Sequence, residues 1–264
     1  MKSVIYYFTG TGNTLAVARA LAKELGDTTL IPLRRAVNPR GIPVDADVLG
    51  IVFPVYFLDM PAIVRDFVRS LQFTGSPYVF GIATCGGNPG AALFNLARLL
   101  DGKQVSLSAG FVFAMPGNYL GPIDLMEPQD VVDTKIAAAN KRIVAVAGTI
   151  RDRQVSLPEG SDDLKSRIGG AIARTLMTSV YRVPRRFHAT EKCTRCGTCG
   201  RICPTRNITM AKKGVRWGSS CTQCYACIHW CPQEAIEMGG RTTGKRRYHH
   251  PDVSIKDMLE QRGE

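Results

Sequence analysis

Ser3 to Phe8 is a run of mainly β-branched and aromatic residues with no breaker, the pattern of a buried strand. The hydrophobic period then changes. From Asn13 on, Leu15, Ala18, Leu21, Ala22 and Leu25 recur at helical spacing, and Gly26 supplies a stop. The alternation repeats. Val48 to Val55 reads as a second central strand, followed by a helix of Ile63, Val64, Phe67, Val68 and Leu71 with Pro61 at its first turn. Tyr78 to Thr84 reads as a third strand, followed by Leu93, Leu96, Ala97 and Leu100 on a helix. Val105 to Met115 is a long strand with an interruption near Ser108 to Gly110. Pro128 then opens a helix carrying Val132, Ile136, Ala139, Ile143, Val146 and Ile150. Thr28 to Leu33 adds a strand at or near an edge. Five strands alternating with about four helices predict an α/β fold, a doubly wound parallel sheet.

The pattern changes after Arg151. A polar stretch with Pro and Gly runs to Ser161, and Asp163 to Val180 then predicts one more amphipathic helix, with Leu164, Ile168, Ile172, Leu176 and Val180 on its apolar face. This helix is expected to connect two domains and to bury its apolar face on one of them. The boundaries that follow are 1–160 for the α/β domain, 161–187 for the connecting helix, 188–240 for a small second domain and 241–264 for a basic C-terminal tail. The tail includes Arg241, Lys245, Arg246, Arg247, His249 and His250, then a short helix near Ser254 to Gln261. A charge run of this kind is expected to be solvated, with a docking patch for an acidic partner as the functional alternative.

The second domain holds eight of the nine cysteines. Cys193, Cys196, Cys199 and Cys203 precede Pro204; Cys221, Cys224, Cys227 and Cys231 precede Pro232. Each half is C-x2-C-x2-C-x3-C-P, and Ile208 with Met210 is repeated by Ile236 with Met238, so the unit is an internal duplication. Three cysteines at this spacing wrap three corners of a cubic iron–sulfur cluster, and a short loop does not reach the fourth. Zinc sites favour two cysteine pairs with a longer spacer. A disulfide framework suits a secretory context.

This region resembles the bacterial two-cluster ferredoxins over about 50 residues. In that family the fourth cysteine of each run ligates the other cluster. The resemblance therefore implies Cys193, Cys196, Cys199 and Cys231 for one [4Fe-4S] cluster, and Cys203, Cys221, Cys224 and Cys227 for the second.

A second motif lies between the first strand and the first helix: Thr9, Gly10, Thr11, Gly12, Asn13 and Thr14. Glycines, hydroxyls and a helix N-terminus suit a phosphate. The loop lacks the Lys of a nucleoside-triphosphate loop and the third Gly of a dinucleotide fingerprint, so a terminal monophosphate held by neutral donors fits better. The motif resembles the FMN phosphate loop of flavodoxins, T/S-x-T-G-x-T, at Thr9, Thr11, Gly12 and Thr14. By the same resemblance Pro54, Val55, Tyr56 and Phe57 flank one side of the flavin ring, and Thr84, Cys85, Gly86 and Gly87 form the other flanking loop. That loop lacks an aromatic, which leaves one ring face open or covered by another part of the molecule. Asn118 and Tyr119 lie after another strand's end, placed to touch flavin or the cluster domain. Cys85, the ninth cysteine, reads as a small buried hydrophobe.

Composition adds limits. With 264 residues the prior is two domains, and no apolar run is long enough to span a bilayer. No signal peptide is visible at Met1, and the thiol usage fits a reducing cytoplasm. The formal charge is +12; two loaded clusters and a flavin phosphate would reduce it to roughly +6. That balance suits an acidic redox protein as partner rather than nucleic acid. The whole chain resembles flavodoxin–ferredoxin fusion proteins. The resemblance implies an electron-transfer protein using FMN and two [4Fe-4S] clusters. The alternatives are an FMN-dependent reductase fed by the clusters, and a ferredoxin on a flavin-free docking domain.

Overall fold

The structure, a computed structural model, describes residues 2–36, 41–120, 124–160, 164–176, 186–212 and 214–263. The first part of the chain alternates strands and helices: β1 (Ser3–Tyr7), α1 (Asn13–Leu25), β2 (Thr28–Pro32), α2 (Leu33–Ala36), β3 (Ile42–Val44), β4 (Val48–Pro54), α3 (Ala62–Ser70), β5 (Leu71–Phe73), β6 (Tyr78–Cys85), α4 (Ala92–Asp101), β7 (Leu107–Ala114) and α5 (Gln129–Arg151). Strands β2, β1, β4, β6 and β7 pair in that order, all parallel. Counted among the strands of this sheet the order is 2-1-3-4-5, the flavodoxin-like arrangement. As expected, β2 is an edge. The interruption read near Ser108 is a bulge: Val79 pairs with Leu107 and Phe80 with Ala109, and the Ser108 hydroxyl accepts from the Val79 amide at 3.2 Å.

Both faces of the sheet are covered, which is why its strands are apolar throughout rather than alternating. Ile5 and Tyr7 of β1 and Val48 and Val52 of β4 face Leu15, Ala18 and Leu21 of α1 and Ile143 and Val146 of α5. Their neighbours Val4, Tyr6, Leu49 and Ile51 face the other way, toward Val64, Phe67 and Val68 of α3 and Leu93 and Leu96 of α4.

Helix α6 (Leu164–Thr175) follows. It does not bury the expected stripe: Ile168, Ile172 and Leu176 are exposed, while Gly170 lies against the backbone of Phe57 and Leu58. The close approach of a glycine, not an apolar face, makes the contact. Val180, read as part of this helix, lies outside the described residues.

The second domain is built of β8 (Phe187–Ala189), α7 (Thr198–Arg201), β9 (Ile208–Ala211), β10 (Gly214–Trp217), α8 (Ala226–His229) and β11 (Ile236–Met238). β8 pairs antiparallel with β11, and β9 with β10. The chain ends in α9 (Ile255–Arg262), opened by a capping box of Ser254 and Asp257. The segment from 241 on is not a solvated tail. Tyr248, His250, Val253, Met258 and Gln261 are buried, and Arg247 forms a buried ion pair with Glu237 at 2.7 Å. Val253 and Met258, with Ile202, Ala226 and Trp230 of the second domain, complete the core on the α1 side of the sheet. One core cluster is therefore shared by the two domains, while Phe187, Ile208, Ile228, Ile236 and Met238 belong to a separate cluster of the second domain. Among the described residues no helix is long and apolar enough to cross a membrane.

Candidate functional site

A cavity of about 720 Å³ lies beyond the carboxyl ends of β1, β4, β6 and β7. In open α/β sheets this is where ligands sit, at the point where strand order reverses. Four loops wall it: Thr9 to Thr14 after β1, Pro54 to Leu58 after β4, Thr84 to Asn88 around the end of β6, and Met115 to Tyr119 after β7. Every residue assigned to flavin by resemblance lines it, except Gly12.

The first loop is the most polar wall. Gly12 caps α1 in the left-handed region, at φ 99°, with no side-chain cap and no acidic residue in the first turn. The first amides of a helix have no intrahelical acceptor, so here their partial positive charge is left for a ligand. The Thr9 hydroxyl accepts from the Gly12 amide at 3.0 Å, the Thr14 and Thr84 hydroxyls pair at 2.7 Å, and Asn118 donates to the Thr11 hydroxyl.

The second loop is held in an uncommon conformation. Phe57 and Leu58 both have positive φ, 54° and 59°, between the mutual backbone hydrogen bonds of Tyr56 and Asp59. Two left-handed residues in succession make a tight turn that normally favours Asn and Gly. The turn is anchored by Asp59, whose buried carboxylate accepts from the Met60 amide and Asn95 and pairs with Arg65 at 2.5 Å. It presents Phe57 edge-on to Tyr119, ring centroids 6.5 Å apart. The third loop carries Cys85, whose thiol is pushed up by burial and donates to the Gly87 carbonyl at 3.2 Å.

The eight clustered cysteines line two further small cavities. One is walled by Cys193, Cys196, Cys199 and Cys231. The other is walled by Cys203, Cys221, Cys224 and Cys227. Each small cavity thus brings three cysteines of one run together with the fourth of the other. Burial pushes the thiols of Cys199 and Cys221 up to about 11 and raises Cys224 and Cys227 further, whereas hydrogen bonding to Thr198 lowers Cys196. These groups must lose protons to serve as ligands, so loading is coupled to proton release.

The second cysteine set adjoins the large cavity. Gln223 and Tyr225, from the loop carrying Cys221, Cys224 and Cys227, line it directly. Tyr225 meets Tyr119 edge-on at 5.4 Å. The Cys224 carbonyl packs so close to Gly10 that a Cβ there would lie 2.6 Å from it and 2.8 Å from the Tyr56 hydroxyl. Tyr56 is held protonated by burial, reinforced by Cys224 and Cys221. No residue of the first cysteine set lines the large cavity. Gln223 and Tyr225 were not legible as cavity residues from the sequence, because within the motif they are the unspecified spacers between cysteines. The Asn118 carbonyl accepts from His229 Nε2 at 2.8 Å, so the β7 loop touches both the first loop and the second domain.

Residues 186–232 match the family described as 4Fe-4S dicluster domain. No curated protein matches the chain. Among solved structures, an azoreductase from Bacillus anthracis str. Sterne is similar at 14% identity over 56% of this chain and 100% of that one, with a TM-score of 0.38. A short-chain flavodoxin associated with a PDU bacterial microcompartment is similar at 17% identity over 56% of this chain and 99% of that one, TM-score 0.34. Rubredoxin oxygen:oxidoreductase from the anaerobe Desulfovibrio gigas is similar at 14% over 56% and 36%, TM-score 0.33. The strand order of this chain itself defines its first domain as flavodoxin-like. The chain thus joins a flavodoxin-like domain to an iron–sulfur dicluster domain, the architecture of a flavodoxin–ferredoxin fusion.

Proposed function

We propose that the chain is an electron-transfer protein that passes electrons between FMN, two [4Fe-4S] clusters and external redox proteins. The observation that carries this reading is the shared wall: the loop of the second cysteine set closes the cavity at the sheet's switch point. The residues fit the groups. The cavity volume lies within the range of cofactor pockets, roughly 300–1,000 Å³. Thr9 to Thr14 would hold the flavin phosphate through amides and hydroxyls, and Pro54 to Phe57 with Thr84 to Gly87 would flank the ring. Cys193, Cys196, Cys199 and Cys231 would hold one cluster, and Cys203, Cys221, Cys224 and Cys227 the other. Flavin exchanges one or two electrons and each cluster one, which is the chemistry these groups supply when bound.

The chain's own residues suit transfer better than substrate turnover. The ionisable groups at the cavity are held neutral or paired: burial raises Cys85, Tyr56, Tyr119 and Tyr225, and Glu127 pairs with Lys135. The first cysteine set is the more open, with Cys196 exposed, and along the sequence around it exposed Lys192, Arg195 and Arg201 outnumber exposed Glu191. That basic rim suits an acidic redox protein, and the unpaired thiols suit a reducing cytoplasm.

Anaerobically reconstituted protein is expected to contain about eight irons and one FMN per chain. Cys193→Ser and Cys227→Ser are each expected to lose one cluster and keep the flavin. Eight irons with no flavin, even in excess FMN, would remove FMN from the account and leave a ferredoxin on a docking domain. Steady turnover of a quinone, nitro compound or nicotinamide would favour the reductase instead.

A further inference from the structure

The loop Thr9 to Thr14 is gripped from outside the cavity by residues that come at the far end of the chain. Gln261 pairs with both backbone groups of Thr9: its oxygen accepts from the Thr9 amide at 2.8 Å and its nitrogen donates to the Thr9 carbonyl at 3.1 Å. The Gly10 carbonyl accepts from Trp230 Nε1 at 3.1 Å, and the Thr11 carbonyl accepts from the His250 amide at 2.8 Å. The Tyr248 hydroxyl donates to the Asn13 side-chain oxygen at 2.6 Å, while the Asn13 nitrogen donates to the Pro116 carbonyl at 2.9 Å. None of Trp230, His250 and Gln261 lines the cavity. His250 and Val253 also press on Gly12, where a Cβ would fall 3.0 Å and 2.9 Å from theirs.

A trans peptide points its carbonyl and the next amide in opposite directions. With the carbonyls of Thr9 and Gly10 tied outward, the amides of Gly10 and Thr11 are turned to the opposite side, where the cavity lies. We propose that the C-terminal segment from Tyr248 to Gln261 is a positioning clasp that holds this loop ready for the phosphate of the ligand. The segment has the rigidity for the task. Its helix α9 is capped by Ser254 and Asp257, Asp257 pairs with Arg19 of α1, and Met258 and Gln261 are buried. The clasp rests on the flavin reading for the identity of the ligand, and on the hydrogen bonds alone for the order of the loop.

The test compares full-length holoprotein with Gln261→Met, which keeps length and burial but neither hydrogen bond, and with Tyr248→Phe, which leaves α9 untouched. Iron content verifies that each folds. FMN and riboflavin dissociation constants are measured on the flavin-depleted proteins. The expected result is FMN binding weakened about tenfold by Gln261→Met, the change that roughly 1.4 kcal/mol produces, with a smaller loss in Tyr248→Phe. Riboflavin, which lacks the phosphate, is expected to bind all three proteins equally. Unchanged FMN affinity, or equal losses for the two flavins, would overturn the clasp. If the wild-type protein takes up neither flavin, the flavin reading fails separately. Amide exchange at Gly10, whose peptide Gln261 holds through the Thr9 carbonyl, then decides the clasp: faster in Gln261→Met supports it, unchanged overturns it.

Discussion

Gly10 sits where the first loop meets the loop of the second cysteine set. In the sequence its role is to let amides approach an anion. In the folded chain the space a Cβ would need is taken by the Cys224 carbonyl and the Tyr56 hydroxyl. Gly10→Ala must therefore move the second cysteine loop away from the sheet. We expect a loss of about 1–3 kcal/mol, the usual range for overpacking, seen as lower denaturant resistance in unfolding followed at the cluster absorbance. Unaltered stability would mean that the contact is slack. Arg247 carries the opposite lesson. Within a run of Lys and Arg it looked like one more solvated charge, yet it is buried against Glu237 while Lys245 pairs with Asp124 at the surface. Removing one partner of a buried pair costs about 3–5 kcal/mol, and an exposed pair contributes roughly 0–1 kcal/mol. Arg247→Ala is thus expected to destabilise strongly and Lys245→Ala hardly at all, in the same unfolding experiment. Equal effects would contradict the packing described for the segment.

At the scale of elements, the α/β part was legible because each strand and helix carries its own period and its own stop. The bulge at Ser108 showed as a break in an otherwise apolar run, and Thr28 to Leu33, the strand left after the central ones, is the edge strand β2. The cysteine runs were legible for a different reason: ligand spacing is local, and duplication repeats it. Two elements were misread. Helix α6 has an apolar stripe of Ile168, Ile172 and Leu176 that stays exposed, because its contact with the Phe57–Leu58 turn is made through Gly170. The C-terminal segment has no strong period before α9, and its anchors are polar atoms bonded to backbone groups more than two hundred positions earlier, such as Gln261 with Thr9. Nothing in local composition announces a hydrogen bond of that range. The turn at Phe57 and Leu58 was likewise hidden, since neither residue type advertises positive φ.

At the scale of the molecule, the two domains are fused rather than tethered. One hydrophobic core runs from β1, α1 and α5 through Ile202, Ala226 and Trp230 to Val253 and Met258. Trp230, beside the ligand-spaced Cys231, reaches the first loop, and Tyr225, between Cys224 and Cys227, reaches Tyr119. This arrangement gives the two cysteine sets unequal places: the second borders the large cavity, and the first opens toward solvent at Cys196. Their order is the central claim, and rapid-mixing reduction under anaerobic conditions tests it directly. Protein carrying FMN is mixed with a low-potential reductant, and flavin and cluster absorbance are followed together in wild type, Cys196→Ser and Cys224→Ser. The account predicts that flavin and clusters exchange electrons quickly in wild type, that Cys196→Ser leaves exchange with the remaining cluster intact, and that Cys224→Ser abolishes fast exchange. Fast exchange that survives Cys224→Ser and disappears in Cys196→Ser would contradict it.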